Sequence, residues 1–498
     1  MDLTTILLAT LVLVILALYW KLTQHRGYIE TLGLPIDKPF GIFGSSPHAL
    51  HKHKLHEVLL EKSQRLGKTY VRYEGSQPML VTIDPDMIKS VMVKNFDSFT
   101  DLFAITDDDK RTTLDICRGD QWRALRKNLS PVFSSGKLKL MIEPMGRVTD
   151  QMVDYMDELL VDKKEVDVKR VFSALALEAI SQCAFGIETD AFHNEDQELI
   201  RLGKEVLNGF TASSWFESLL YGVFAHFPEV LSVISIFPPA FDKMYDISAG
   251  IMKARRDQNV VKHDFLGKLL ELIDEIKRNP EASKPLTDEL LTAQGIVFFV
   301  AGYGTTANAL STLCYNLAKN PEIQERLYEE LQDVIDKFDG RIDHESIQEM
   351  EYLEACIQEN LRRNGPVADQ VRLCTKDCEI APGLLIKKGM RVDFPIYASH
   401  HTPEFFPDPD RFDPDRFLPA NEKNIIAYTF RPFGGGPRQC IGQRFAMIQM
   451  KMAAAKMITN FRVVESPRTK LEYQNGDQFH MKYPELVVIM EKRNTDSR

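Results

Sequence analysis

Cys440 lies in the stretch Phe433-Gly434-Gly435-Gly436-Pro437-Arg438-Gln439-Cys440-Ile441-Gly442 and is the residue best equipped for chemistry. A free thiol titrates at about 8.5, so a working thiolate needs backbone N–H groups, nearby cations or a metal. The glycines let backbone donors approach the sulfur, Pro437 restrains the turn, and Arg438 adds a positive charge two residues away. Such a loop suits a cysteine that ligates a metal. A second candidate is Ala301-Gly302-Tyr303-Gly304-Thr305-Thr306. Its glycines weaken a helix by about 1 kcal/mol each relative to Ala, and they admit a flat group close to the backbone. A hydroxyl there can bond a carbonyl or hold a water. In Glu359-Asn360-Leu361-Arg362 the carboxylate and the guanidinium share a helix face at i, i+3, as Trp122 and Arg126 do at i, i+4.

Elements must hold these groups in place. Thr287 is an N-cap candidate, Asp288 and Glu289 suit an acidic first turn, and Asn320-Pro321 is a stop. The helix between them would be about 48 Å long. Its middle, residues 295–310, is apolar on nearly all sides, as a buried helix must be. Helical patterns also cover 138–186, 264–278, 351–363 and 443–460, while 69–73 and 79–83 read as strands. The chain is therefore expected to be mainly α with a smaller β-rich lobe.

A chain of 498 residues, 44% of them hydrophobic, can bury a large core. The net charge of −10 gives no footprint for nucleic acid. Seven scattered cysteines do not form a disulfide framework, which points to a reducing compartment. Residues 3–20 are apolar apart from Thr4, Thr5 and Thr10, and Lys21 and Arg26 follow them. That run would span about 27 Å, close to a bilayer core. With the positive charges behind it, the remainder of the chain is placed in the cytosol; a cleaved signal peptide is the competing reading. The expected organisation is an anchor at 1–22, a proline/glycine hinge at 23–45 and a catalytic domain at 46–498.

The pattern Phe-x-x-Gly-x-Arg-x-Cys-x-Gly, from Phe433 to Gly442, resembles the haem-binding signature of the cytochrome P450 family at every fixed position. The resemblance covers essentially the whole chain. It implies a prism-shaped, mainly helical fold, haem b with Cys440 as axial ligand to the iron, and one N-terminal transmembrane helix in the endoplasmic reticulum. Phe433, Arg438, Gly442, Trp122, Arg126, Arg372 and Ala301 would hold or line the haem, with the arginines and Trp122 serving its propionates. Thr305, with Thr306 beside it, would be the catalytic hydroxyl of the oxygen-binding groove. Glu359, Arg362 and Arg416, the last in Pro414-Asp415-Arg416-Phe417, would form a buried network that locks the Cys440 loop. The implied partners are NADPH–cytochrome P450 reductase, cytochrome b5 and a lipophilic small molecule. The implied reaction inserts one oxygen atom of O2 into a xenobiotic, steroid or fatty-acid-like substrate. Residues 130–138 resemble the clan of vertebrate 3A drug-metabolising enzymes and their invertebrate relatives. A haem-thiolate isomerase or dehydratase and a non-catalytic haem protein are the alternatives.

Two positions depart from the family pattern. Gly304 stands where an acid is usual, which predicts leakier proton delivery, and Gly365 stands where Pro is usual. For substrate contacts, Phe99, Phe103 and the aromatic run Phe210, Trp215, Phe216, Tyr221, Phe224, Phe227, Phe237 and Phe241 are candidates. Asp369 is a candidate for attracting a cationic substrate, the competing reading being a solvated turn. Lys451 and Lys456 are candidates for meeting an acidic electron donor.

Overall fold

A computed structural model describes residues 3–23, 26–41, 44–45, 54–102, 106, 108–162, 164–194, 198–209, 237–262, 264–474, 481 and 483–493. Phe103, Phe210, Trp215, Phe216, Tyr221, Phe224 and Phe227 lie outside them. The longer helices are α1 (Leu3–Thr23), α2 (Leu55–Leu66), α3 (Gly119–Leu129), α4 (Ser135–Asp162), α5 (Val168–Phe185), α6 (Glu198–Gly209), α7 (Pro239–Asp257), α8 (Phe265–Arg278), α9 (Asp288–Lys319), α10 (Pro321–Lys337), α11 (Glu351–Asn364) and α12 (Gln443–Asn460). α5, α6, α7, α8, α10, α11 and α12 pack around α9, whose 32 residues begin where Thr287 Oγ1 accepts the Leu290 N–H at 3.1 Å. The helix stops at Asn320, and Pro321 opens α10. The run read as one pattern over 138–186 is two helices, with the strand β3 (Glu165–Asp167) between them. Asp167 explains the restart, because its carboxylate accepts the Lys169 N–H and caps α5.

The closest neighbour of α9 is α5, which is buried along most of its length. Gly302 permits this approach, since a Cβ there would lie 3.0 Å from Ile180 Cδ1. Its missing side chain therefore serves helix packing rather than access for a flat group. Asn360 Nδ2 donates to Ala309 O at 2.8 Å and fixes α11 against the same helix.

The smaller lobe is built on a four-stranded sheet in the order β1-β2-β7-β4, comprising β1 (Thr69–Glu74), β2 (Gln77–Thr82), β4 (Asp369–Leu373) and β7 (Arg391–Pro395). β7 pairs parallel to β2 and antiparallel to β4, with Arg372 opposite Val392. A hairpin, β5 (Cys378–Ala381) and β6 (Leu384–Ile386), lies beyond it, and β3, β8 (Phe461–Val464) and β9 (Val487–Lys492) form a third sheet. The sheet matters to the site because β4 carries both Asp369 and Arg372. The proline-rich stretch before β1 is tied to it: the Val71 N–H donates to Pro35 O, and the Asp37 N–H to Val71 O. On α1, Leu7, Leu13 and Trp20 are 61%, 66% and 68% exposed, so this helix presents its apolar side chains outward.

Candidate functional site

The Cys440 loop closes on itself through Cys440 N–H to Phe433 O (2.9 Å) and Gly434 N–H to Arg431 O (3.0 Å). Gly436, at φ 68°, would place a Cβ 2.1 Å from Met92 O, so backbone geometry and space both demand glycine there. Gly442 is the N-cap of α12, and its N–H points at the Cys440 sulfur. Burial pushes the Cys440 thiol up from its ordinary value, while the Gly442 N–H and the Arg126 guanidinium pull it back toward thiolate. The cation facing the sulfur is thus Arg126 of α3, not Arg438. Arg438 turns away, donating to Asp115 O at 3.1 Å and to Cys117 O, and lies 4.5 Å over the Trp122 ring. Its side chain needs those carbonyls because burial makes its charge costly.

Arg372 is buried on β4 and, among the described residues, donates to Val371 O (2.8 Å) and leaves its Nε without a partner. Burial, with Arg438 and Arg431 nearby, lowers its pKa to about 9. Arg431 is also buried and has two unpartnered terminal nitrogens, and burial lowers its pKa to about 10. Three guanidiniums therefore gather beside the loop with too few carboxylates among the described residues to satisfy them. Asp369 is the acid that meets Arg431, and it is buried on β4 beside Asp393. Burial and the Asp393 charge raise its pKa well above the carboxylate range. It is buried on a strand and does not sit at a solvated turn.

Behind the loop, Glu359 and Arg362 are buried and bidentate, Nε–Oε2 at 2.7 Å and Nη2–Oε1 at 2.8 Å. Asp413 N–H adds a third hydrogen bond to Glu359 at 2.9 Å, and Arg416 Nε stands 3.7 Å away as an ion-pair partner without a hydrogen bond. Arg362 continues outward to His400 O and Pro409 O, both at 2.7 Å. His400 then completes a chain toward Cys440, for its Nδ1 lies 3.1 Å from Arg362 O and its Nε2 accepts the Arg431 N–H at 3.0 Å. That pairing requires a neutral imidazole with its proton on Nδ1. Burial enforces it, holding the His400 pKa well below the ordinary value.

The sequence reading missed His400 and Arg431. The available signal was Arg431 two residues before Phe433, a cation leading directly into the loop.

In front of the loop, α9 is buried except along a face that includes Val297, Ala301, Gly304, Thr305 and Asn308, spaced as one side of a helix. Ala301 is exposed there although it lies at the centre of the molecule's longest helix. Cys440 likewise keeps accessible surface although protein surrounds it closely enough to desolvate the sulfur. These exposed surfaces therefore open on an interior space and not on the outer surface. Thr305 Oγ1 donates to Ala301 O at 2.7 Å, while Thr306 is buried. Phe433 and Ile441 pack against the main core.

Three weaker expectations fall elsewhere. Phe99 is fully buried in the core of the smaller lobe, and Phe237 and Phe241 are buried against each other, with ring centroids 5.0 Å apart. Lys451 is buried and spends its ammonium on Ile347 O and Glu354. Lys456 pairs with Asp150 at 2.7 Å.

The family profile described as Cytochrome P450 matches residues 34–490. Cytochrome P450 3A29 of Sus scrofa is 34% identical over 98% of this chain and 96% of its own. Cytochrome P450 3A5 of Homo sapiens is 32% identical over 99% and 97%, and probable cytochrome P450 6d4 of Drosophila melanogaster is 32% identical over 94% and 95%. With a matching profile and near full-length relatives alongside a cysteine loop braced in this way, the chain belongs to the cytochrome P450 family of monooxygenases, which bind haem b through a cysteine thiolate.

Proposed function

We propose that the chain inserts one atom of O2 into lipophilic small molecules, xenobiotic, steroid or fatty-acid-like. In this reading electrons come from NADPH through a reductase, with cytochrome b5 as a further donor. The observation that carries it is the convergence of Arg372, Arg431 and Arg438 beside a cysteine loop, with buried nitrogens lacking acceptors. Haem fits that arrangement, since it brings two carboxylates and a metal that wants a thiolate. Cys440 would hold the haem iron through its sulfur, with Arg126 and the Gly442 N–H favouring the anionic form. Trp122, Arg126, Arg372 and Arg438 would hold the propionates, while Phe433 and Ala301 would flank the ring. The haem supplies the oxygen chemistry, and thiolate ligation favours O–O cleavage.

The protein's own share is orientation and proton handling. The α9 face is apolar at Val297 and Ala301, so it excludes bulk water. Thr305 is its hydroxyl in this reading, able to exchange its bond to Ala301 O for an ordered water that carries protons. The membrane reading rests on α1, whose 21 residues reach about 32 Å and whose apolar side chains face outward. It places a single-pass anchor in the endoplasmic reticulum membrane and the catalytic domain in the cytosol.

Reconstitution with the reductase in vesicles tests the function. Lipophilic compounds should stimulate NADPH oxidation and yield products carrying oxygen from O2, and Cys440→Ser should abolish both. NADPH oxidation unaffected by any such compound would favour the isomerase or non-catalytic reading.

A further inference from the structure

The stretch from Thr112 to Cys117 crosses the front of the site and is clamped at both ends. Gln294, fully buried on α9, accepts the Leu114 N–H at 2.8 Å and donates to Thr112 O at 3.1 Å. At the other end Arg438, two residues from Cys440, donates to Asp115 O and Cys117 O. Gln294 and Ala301 are seven residues apart, hence two turns along the same face of α9. Asp115 is therefore suspended between the helix face that opens at Ala301 and the loop that carries Cys440. Its neighbours Leu114 and Cys117 are buried, at 7% and 1%, yet Asp115 itself is exposed.

The Asp115 carboxylate has no ion pair or hydrogen bond among the described residues. Arg438, a cation beside it, is already committed to two carbonyls and the Trp122 ring. The Asp115 carboxylate, beside Ile116 and on a backbone fixed by Gln294 and Arg438, has its charge left for something that enters.

We propose that Asp115 is a specificity-determining residue that selects lipophilic cations, pairing its carboxylate with a substrate ammonium while the apolar body lies along the Ala301 face. The assignment rests on the monooxygenase reading for the oxidation of a bound cation, though not for the binding itself. It also moves the acid expected to attract a cation from Asp369, which is buried against Arg431, to Asp115.

The test uses the haem-loaded full chain and a matched pair of probes, the phenylpropyltrimethylammonium ion and its neutral tert-butyl isostere. A quaternary nitrogen has no lone pair, so it cannot bind by ligating iron. Equilibrium dialysis should show the cation bound at least tenfold more tightly than the isostere by the native chain. The ratio should fall close to one in Asp115→Asn and be largely kept in Asp115→Glu, with the haem content of each variant reporting its folding. A preference that persists in a haem-loaded Asp115→Asn, or that is missing from the native chain, overturns the proposal. Cation preference without NADPH-dependent turnover would support Asp115 while sinking the monooxygenase reading. Turnover without the preference would do the reverse.

Discussion

The two sides of Cys440 are built on opposite principles. Behind it, Glu359 is wholly buried and receives Arg362 twice, the Asp413 N–H and the charge of Arg416, while His400 passes the constraint on to Arg431. In front of it, the α9 face offers one hydroxyl that bonds its own helix, a glycine at 304, the amide of Asn308 and the apolar side chains of Val297 and Ala301. The first region is tied together by many hydrogen bonds around Glu359 and Arg362 and has little freedom to rearrange. The second keeps few internal commitments, so entering molecules and water decide what happens there. A rigid ligand loop facing a permissive groove lets one chemistry meet varied substrates, and each region should fail in its own way when altered.

The largest effect is expected behind the loop. Arg362→Ala strands the Glu359 carboxylate in a fully buried position, which costs about 3–5 kcal/mol. It also removes the donors to His400 O and Pro409 O. The purified variant should carry little or no haem, measured as haem per protein. Normal haem loading would break the comparison, because the rear scaffold would then be no more essential than the front.

Acid should attack the same side next. Burial holds His56 at about 4, His401 at about 3 and His400 well below the ordinary value. All three are neutral when folded, whereas unfolded histidine takes a proton at about 6.5. The unfolded state therefore binds more protons below that pH, and stability present above it is lost as pH falls toward the folded values. Each group contributes about 1.4 kcal/mol per pH unit, so the three together should cost about 4 kcal/mol at one unit below 6.5. The melting temperature and haem retention, followed from pH 7.5 to 5.5, should fall together. A flat profile would mean that these histidines are already solvated.

The contrast also separates what the sequence could reveal from what it could not. α9 was legible at both ends because its signals are local: the Thr287 cap, two acids after it, and Asn320-Pro321. α12 and the Glu359–Arg362 pair were likewise readable from spacing along one helix. Hidden from view were contacts between distant segments. His400 meets Arg362 across 38 residues and Arg431 across 31, and nothing in the His400-His401 dipeptide marks it as a link. Arg438 looked like the cation for Cys440 from its place in the loop, but Arg126 arrives from another helix and takes that position. Asp369 read as a solvated or substrate-facing acid because sequence does not show that β4 lies under a cover of arginines.

The smallest and most discriminating change lies in front. Gly304 sits on the open face of α9, where a side chain would lie between those of Ala301 and Asn308, three and four residues away. Replacing glycine within a helix gains about 0.5–1 kcal/mol, so Gly304→Glu should not lower stability. Any effect on turnover must then come from the new carboxyl group as a proton donor. General acid catalysis is worth about 10²–10⁴-fold where no other donor exists. Water held by Thr305 already supplies part of that function in this reading, so product formed per NADPH consumed should rise only about two- to tenfold. Peroxide release should drop correspondingly, with haem content unchanged. If coupling stays the same, Gly304 is a packing residue like Gly302, and the permissive groove carries no proton-delivery deficit for an acid to repair.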